Sequence, residues 1–276
     1  LTANATYYYA DIFSTDFSKI ESSQIIADIN AWVSEKTNGM IPSVLDSLPN
    51  YSNMFLINTL TFDGKWKTSY TEDEISDGIF TSSEGAEQTV KYLSSIEKMY
   101  IEDENTTGFV KYYRGNYAFA ALLPSEGISI DSYVEGLTGE KIMGLFDGMI
   151  KENIYVTVKL PEFESSFTCD DMIPVLMRMG INDVFDMWKA DLSGIVEPGL
   201  LQGNLHVNKV IHKTKISVTQ YGTKASAATL GGLAMSSPPP TPIYKTVTLD
   251  RPFVYMIIDC NYNMPLFIGV VENIGE

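Results

Sequence analysis

Cysteine is scarce in this chain: only Cys169 and Cys260 occur among its 276 residues. No C-x-x-C pair is present, which excludes a zinc ribbon and a thioredoxin-like redox motif. Two cysteines cannot make a disulfide framework. One bridge between them is possible, but we expect two separate packed thiols. Long apolar runs are also missing, and none approaches the ~18 residues that a membrane-spanning helix needs. We therefore predict no membrane span.

Positive charge is the second shortage. The chain has 19 lysines and arginines against 35 aspartates and glutamates, which gives a formal net charge of −16. No contiguous basic stretch is available to lie along phosphates, so nucleic acid is not expected as a partner. The same acidity argues against binding to anionic membrane surfaces.

Residues that carry catalysis or bind metals are few. His206 and His212 are the only histidines, and without nearby carboxylates they make a poor metal site. The motifs G-x-S-x-G, HExxH and G-x-G-x-x-G and the P-loop are absent. The acidic clusters at 73–77 and 102–104 lack the EF-hand spacing and are typical of solvated turns. The sequence therefore predicts no enzyme active site, no metal and no cofactor.

Strand-like and helix-like segments follow one another irregularly. Runs rich in β-branched and aromatic residues predict strands at 54–62, 117–123, 154–160, 215–218 and 253–258. Apolar residues on one face predict a helix over 22–35, and helices are also expected over 132–149 and 170–179. Without regular β-α alternation, this mixture indicates an α+β fold.

One long segment interrupts this pattern. Residues 222–242 read GTKASAATLGGLAMSSPPPTP, with small residues first and prolines at the end. Loops longer than ~12–15 residues inside a compact domain are usually functional or disordered. Strand-like sequence returns directly after this segment. That return indicates an exposed loop within one domain rather than a linker between two.

Segments in a characteristic order link this chain to a known family. The chain contains, in this order, IADINAWVSEKTNGMI, FLINTLTFDGKW, YAFAALLPSEG, VTVKLPEF, MGINDVF, ADLSGI, VNKVIHKTKISVTQYGTKASAAT, DRPFVYMI and PLFIGVVENI. Each segment is weak evidence alone. Together, and in this order, they resemble the serpins over essentially the whole chain.

The resemblance implies one serpin domain over residues 1–276, with a large central β-sheet, further β-sheets, surrounding helices and an exposed reactive-centre loop at about 222–242. The opening LTANA resembles the strand that follows the N-terminal helices of the family, so we expect those helices to be absent from this chain. The resemblance also implies a monomer located outside the cell or at its surface. Gln220 and Lys224 stand where the family usually or often carries glutamate.

A protease that attacks a serpin cuts the exposed loop and becomes attached to it as an acyl-enzyme, and the freed loop then inserts as a new strand into the main sheet. The resemblance therefore implies a suicide-substrate inhibitor and not an enzyme. The partner it implies is a serine-type or cysteine protease similar to elastase, chymotrypsin or subtilisin. The reactive bond is expected at Met235–Ser236 or Ser236–Ser237.

The family resemblance also assigns residues to sheet opening. Asn58 and His212 are expected to form a polar latch under the strands that must part, and Trp66 is expected near the top of the sheet, where insertion begins. The hinge is assigned to Gln220, Gly222, Thr223, Ala225, Ala227 and Thr229.

The first part of the loop is suited to insertion. Alternate residues of a strand face the same side, and the alternate set from Thr223 to Leu233 is small or apolar and carries no charge. Proline would block the hydrogen bonds of a central strand. It is absent from residues 222–235 and frequent after them.

Two alternatives remain open at the level of the sequence. One is a non-inhibitory serpin that acts as a carrier, a chaperone or a structural protein. Such proteins share the fold but usually carry charged or bulky residues in the inward-facing set of the hinge. The other, from a different class, is a secreted β-rich binding domain in which the loop is only a linker.

Overall fold

The computed structural model describes residues 7, 9–17, 19–48, 54–192, 194, 205–221 and 241–274. Within these residues the chain forms four α-helices and twelve strands, as the α+β expectation requires. In chain order they are α1 (Ser22–Lys36), β1 (Phe55–Phe62), β2 (Ile75–Thr81), β3 (Glu87–Glu97), β4 (Tyr100–Asp103), β5 (Thr106–Tyr112), β6 (Tyr117–Pro124), α2 (Ile130–Glu135), α3 (Gly139–Asp147), β7 (Ile154–Pro161), β8 (Phe163–Cys169), α4 (Ile173–Arg178), β9 (Lys209–Val218), β10 (Ile243–Thr248), β11 (Phe253–Asp259) and β12 (Met264–Val271).

The chain divides into two compact units. The first comprises Leu1–Phe62 and Ser166–Lys215, and the second comprises Asp63–Ser165 and Ile216–Glu276. Strands β8 and β9 therefore begin in one unit and end in the other. The prediction of a single domain over 1–276 stays a prediction.

Helix α1 supplies the core of the first unit. Its expected range, 22–35, differs from the observed range by one residue at the end. The apolar face packs with the segment that follows the helix and with strand β9, in a cluster that includes Val33, Ile41 and Ile211. The helix ends where the hydroxyl of Thr37 donates to the carbonyl oxygen of Val33 at 2.8 Å. Burial of this face, more than intrinsic propensity, stabilises such a helix.

A five-stranded sheet forms the centre of the second unit, in the order β12-β11-β6-β5-β4. Every residue of β6 after Tyr117 is buried, because both faces of the sheet are covered. On one face, alternate residues of β6 and β11 pack against α2 and α3 in a cluster that includes Ala120, Met256 and Leu145. On the other face the rings of Phe119 and Tyr255 stack with their centroids 6.4 Å apart. Covering on both sides explains why these strands are continuous apolar runs in the sequence.

Two further sheets complete the described structure. A four-stranded sheet in the second unit has the order β10-β7-β3-β2, with β10 parallel to β7 and the other neighbours antiparallel. A three-stranded sheet has the order β1-β9-β8, so that β9 lies between β1 and β8. Strand β9 is longer than the predicted 215–218, and it ends four residues before Gly222, where the predicted loop begins.

Two predicted helices differ from the observed ones. The helix expected over 132–149 is broken into α2 and α3, because Gly136 ends the first and Thr138 caps the second by accepting from the backbone N–H of Lys141 at 3.2 Å. The helix expected over 170–179 is shorter in the structure, where only α4 forms. The chain before α4 makes a turn, in which the Asp171 carboxylate accepts from the N–H of Ile173 at 3.0 Å.

The expected separate thiols are confirmed, since Cys169 and Cys260 are both free. In the part of the chain that the structure describes, no helix is long and apolar enough to cross a membrane. No group of three or more potential metal-binding side chains occurs in those same ranges.

Candidate functional site

Asn58 and His212, the two residues of the expected latch, are in contact. Asn58 lies in the middle of β1, His212 lies near the start of β9, and the Asn58 Oδ1 is 3.0 Å from the His212 Nδ1. Because an amide oxygen only accepts, the imidazole Nδ1 is the donor. The bond joins the side chains of two neighbouring strands, β1 and β9.

The alternation of side chains along β1 explains why a polar residue stands here. Ile57 points into the core cluster beneath α1, whereas Asn58 is exposed, together with Leu56 and Leu60. In a strand, alternate residues share a face, so Asn58 lies between two leucines on the face opposite α1. On β8, the ring of Phe167 lies 6.4 Å from the His212 ring. The polar contact therefore lies beside the apolar side chains of Leu56, Leu60 and Phe167.

Trp66, in the second unit, is fully buried among aromatic rings. Its indole stacks on Tyr113 with ring centroids 4.1 Å apart and an interplanar angle of 8°. Tyr70 and Phe119 approach the indole edge-on, and a backbone bridge also pairs Trp66 with Tyr113. Burial raises the pKa of Tyr113 well above its usual range, which keeps the phenol neutral. The indole is thus fixed in position by contacts on several sides.

A buried ion pair lies beside this aromatic group. The Lys111 Nζ is 2.7 Å from the Glu97 Oε1, and the two side chains are 5% and 14% exposed. The Glu97 carboxylate also accepts from the hydroxyl of Ser95. The same ammonium group lies 4.5 Å from the ring centre of Tyr70 and 5.5 Å from that of Trp66, within the range of a cation–π interaction.

The peptide group between Thr219 and Gln220 is held on both sides. The indole Nε1 of Trp66 donates to the carbonyl oxygen of Thr219 at 2.9 Å. The N–H of Gln220 donates to the Glu162 Oε1 at 2.6 Å. This peptide group follows the end of β9 and precedes Gly222 by two residues.

The structure therefore places the side chains of three predicted site residues, Asn58, His212 and Trp66, in defined contacts. A fourth, Gln220, makes its contact through its backbone N–H. Their roles in sheet opening stay predictions. The other predicted hinge and reactive-bond residues lie outside the described residues: Gly222, Thr223, Ala225, Ala227, Thr229, Met235, Ser236 and Ser237.

Sequence reasoning missed Glu162, Lys111 and Glu97. Glu162 lies in the segment VTVKLPEF, which contributed to the family resemblance without a role being assigned to this carboxylate. Lys111 and Glu97 are ordinary charged residues in the sequence, and only their burial distinguishes them.

Comparison with known proteins identifies the fold that holds these contacts. A model of the family described as serpin (serine protease inhibitor) matches residues 1–274. This chain belongs to the serpin family. The expected serpin fold is confirmed by a solved structure, that of the thermophilic serpin tengpin in the native state, which is 40% identical with a TM-score of 0.83 over 98% of this chain and 67% of that one.

Two further serpins show the range of the family. Human leukocyte elastase inhibitor is 30% identical over 281 residues, which cover 98% of this chain and 71% of the relative. The structure of thyroxine-binding globulin in complex with thyroxine is 25% identical, with a TM-score of 0.82 over all of this chain and 71% of that one. The chain spans about two thirds or less of the length of the first curated relatives it matches, at 66%, 61% and 66%.

The expectation of a secreted serpin is not supported. Among the curated relatives are Serpin B10, Serpin B6 and the leukocyte elastase inhibitor, and none of these names describes a secreted protein. Location outside the cell or at its surface stays a prediction.

Proposed function

We propose that this serpin inhibits serine-type proteases as a suicide substrate. A protease cleaves the loop at residues 235–237, and the part of the loop that follows Gly222 enters the sheet as a new strand between β1 and β9. The protease, attached through its acyl ester, is carried along before the ester is hydrolysed. In this role the chain is an inhibitor and not an enzyme.

The observation that carries the proposal is the position of β9. This strand leads into the loop, and it has β1 on one side and β8 on the other. A chain that turns back at Gly222 and runs along β9 must enter between β9 and one of these neighbours. A side-chain contact that can be exchanged, Asn58 to His212, joins β9 to β1, and this supports insertion on the β1 side.

The sequence of the loop also supports its insertion into the sheet. Residues 223–235 contain no proline, and as a strand they would extend about 43 Å at ~3.3 Å per residue. That is longer than β1, which has eight residues and would measure about 26 Å on the same scale. The inserted part can therefore run the length of β1 and transport an attached protease to the other end.

Among the relatives, the name of the leukocyte elastase inhibitor supports an elastase-like target. A serine-type or cysteine protease similar to elastase, chymotrypsin or subtilisin is the proposed partner, and a monomer is the proposed active form. The test is incubation with a panel of such proteases, followed by electrophoresis in SDS. A covalent band at the summed mass supports inhibition, and its absence with every protease of the panel contradicts the proposal.

A non-inhibitory serpin is the second candidate. Thyroxine-binding globulin, whose solved complex contains thyroxine, has the same fold as this chain, so the fold by itself is compatible with a carrier. Gln220, at a position where the family usually carries glutamate, also favours this alternative. In the same gel, a clean cut within the loop without a covalent band would identify such a protein.

A further inference from the structure

A depression of about 410 Å³ opens on the surface of the second unit. It lies at the turn between β5 and β6, where two other segments approach that turn. On one side, the N–H of Lys67 donates to the carbonyl oxygen of Tyr112 at 2.9 Å. On the other side, just after β11, the N–H of Cys260 donates to the carbonyl oxygen of Asn116 at 2.7 Å. Both walls of the depression are therefore fixed by backbone hydrogen bonds.

Positive charge converges on this depression. Lys67 and Arg114 line it, and both residues are exposed. Trp66 and Tyr113, which form the backbone bridge, are buried. Because successive residues of an extended segment point to opposite faces, Lys67 and Arg114, which directly follow the bridged pair, point to the outer face. Among the described residues that line the depression, none is an aspartate or a glutamate.

Two further groups of the lining are neutral at physiological pH. Burial raises the pKa of the Tyr112 phenol and the pKa of the Cys260 thiol, so neither group carries a charge near neutral pH. The carboxylate of Asp259, next to Cys260 in sequence, accepts from the N–H of Asn261 at 2.8 Å within its own turn. The lining therefore combines positive charge with the apolar surfaces of a ring and a sulfur atom.

Local charge, rather than the charge of the whole chain, decides which ligand fits. The net charge of −16 repels anions at long range, but physiological salt screens that repulsion beyond ~8 Å. The Lys67 Nζ lies only 5.7 Å from the centre of the Tyr112 ring, and that residue is 38% exposed. An aromatic ring can pack on Tyr112, while a carboxylate attached to it binds the ammonium of Lys67 or the planar guanidinium of Arg114.

The size of the depression suits a small ligand. Its volume of about 410 Å³ is typical of ligand sites, which measure ~300–1,000 Å³, and a cavity of ~150 Å³ already holds benzene. We propose that this depression binds a small aromatic carboxylate, with its ring on Tyr112 and its carboxylate at Lys67 and Arg114. For a ligand of about ten non-hydrogen atoms at an exposed site, the expected dissociation constant is on the order of millimolar. This binding is independent of the proposed inhibitory function.

The test uses benzoate as the probe and the two free thiols of the full chain as reporters. Cys260 lines the depression, whereas Cys169 is the last residue of β8, and both thiols are free and partly buried. The folded protein is alkylated with iodoacetamide at increasing benzoate, and mass spectrometry gives the rate at each cysteine. At benzoate tenfold above its dissociation constant, only about one site in eleven is empty. Alkylation of Cys260 should therefore slow about tenfold, while that of Cys169 stays unchanged.

Matched ligands and variants identify the groups that bind. Benzyl alcohol keeps the ring without the charge, and acetate keeps the charge without the ring, so both should protect Cys260 far less than benzoate at equal concentration. Lys67→Gln should weaken benzoate binding roughly three- to fivefold, which is the factor expected from an exposed ion pair. Lys65→Gln changes a lysine of the same segment that does not line the depression, and it should bind benzoate like the parent.

Thermal unfolding provides a second measurement that does not depend on thiol reactivity. At the same tenfold excess, benzoate should raise the melting temperature of the parent by roughly 3–6 °C, and less in Lys67→Gln. An unchanged melting temperature, or equal protection of Cys260 and Cys169, would show that no such site exists. Equal protection by acetate would overturn the aromatic class of the ligand. Equal binding by Lys67→Gln and Lys65→Gln would overturn the assigned contact.

Discussion

The buried ion pair between Lys111 and Glu97 allows the sharpest stability prediction. Replacing Lys111 by Met removes the ammonium group and leaves the Glu97 carboxylate, 14% exposed, without the partner that lies 2.7 Å away. Removal of one member of a buried pair destabilises a protein by about 3–5 kcal/mol, because the remaining charge is poorly solvated. At roughly 2–4 °C per kcal/mol for a chain of this size, the melting temperature should fall by roughly 6–20 °C.

Lys91 provides a matched control for this prediction. Its Nζ is 3.8 Å from the Asp77 carboxylate, but the two side chains are 63% and 75% exposed. Exposed pairs contribute at most about 1 kcal/mol, so Lys91→Met should change the melting temperature little. The measurement is thermal or urea unfolding followed by circular dichroism for both variants and the parent.

A double variant decides whether burial of an unpaired charge is the cause. Adding Glu97→Gln to Lys111→Met removes the stranded carboxylate, so the double variant should be more stable than Lys111→Met alone. If Lys111→Met is no less stable than Lys91→Met, the assignment of a desolvated pair is refuted. It is also refuted if the double variant loses more stability than the sum of the losses caused by Lys111→Met and Glu97→Gln separately.

Three further predictions concern the loop and the latch. Thr223→Arg should turn the inhibitor into a substrate, because burying an unpaired guanidinium slows insertion of the loop. A barrier higher by ~1.4 kcal/mol shifts the partition between insertion and hydrolysis of the acyl ester about tenfold. The measurement is loss of the SDS-stable band at an unchanged rate of loop cleavage. Lys224→Glu, whose side chain faces solvent after insertion, should trap protease like the parent. His212→Ala removes the contact to Asn58, worth about 1 kcal/mol, and should shorten the lifetime of activity at raised temperature about fivefold. Mass spectrometry of the released C-terminal peptide should place the cleavage within residues 235–237.

Each of these predictions has an outcome that would contradict it. Trapping by Thr223→Arg as efficient as that of the parent would mean that the alternation of the loop is out of register or that the loop does not insert. An unchanged or longer lifetime of His212→Ala would show that the contact does not restrain sheet opening. A released peptide that begins upstream of Leu233 or downstream of Pro238 would refute the placement of the reactive bond.

The sequence alone determined the elements whose pattern is strong and local. Helix α1 was predicted to within one residue, because its apolar residues recur at helical spacing and no glycine or proline interrupts them. Strands β6 and β11 were predicted because strands buried on both faces are continuous apolar runs. The helix expected over 132–149 was predicted too long, since the turn at Gly136 depends on how the chain packs rather than on periodicity.

Half-exposed strands were harder to predict. Strands β2 and β8 carry serine, threonine, aspartate or glutamate on their open faces, and their alternation is short and imperfect. What specifies such a strand is its partner: β2 pairs with β3 over seven residues, and that pairing is not visible in the local pattern. Residues far apart in sequence provide the hydrogen bonds that make these segments strands.

The contacts at the candidate site were decided by the tertiary structure. Family resemblance named Asn58, His212 and Trp66, but it did not show that Trp66 reaches the carbonyl oxygen of Thr219, 153 positions along the chain. It assigned no role to Glu162. A charged residue in a sequence looks the same whether it lies in solvent or beside a partly buried peptide group, because its surroundings come from other strands. The composition of the loop is thus a property of the sequence, whereas the contacts at its root exist only once the sheet has formed.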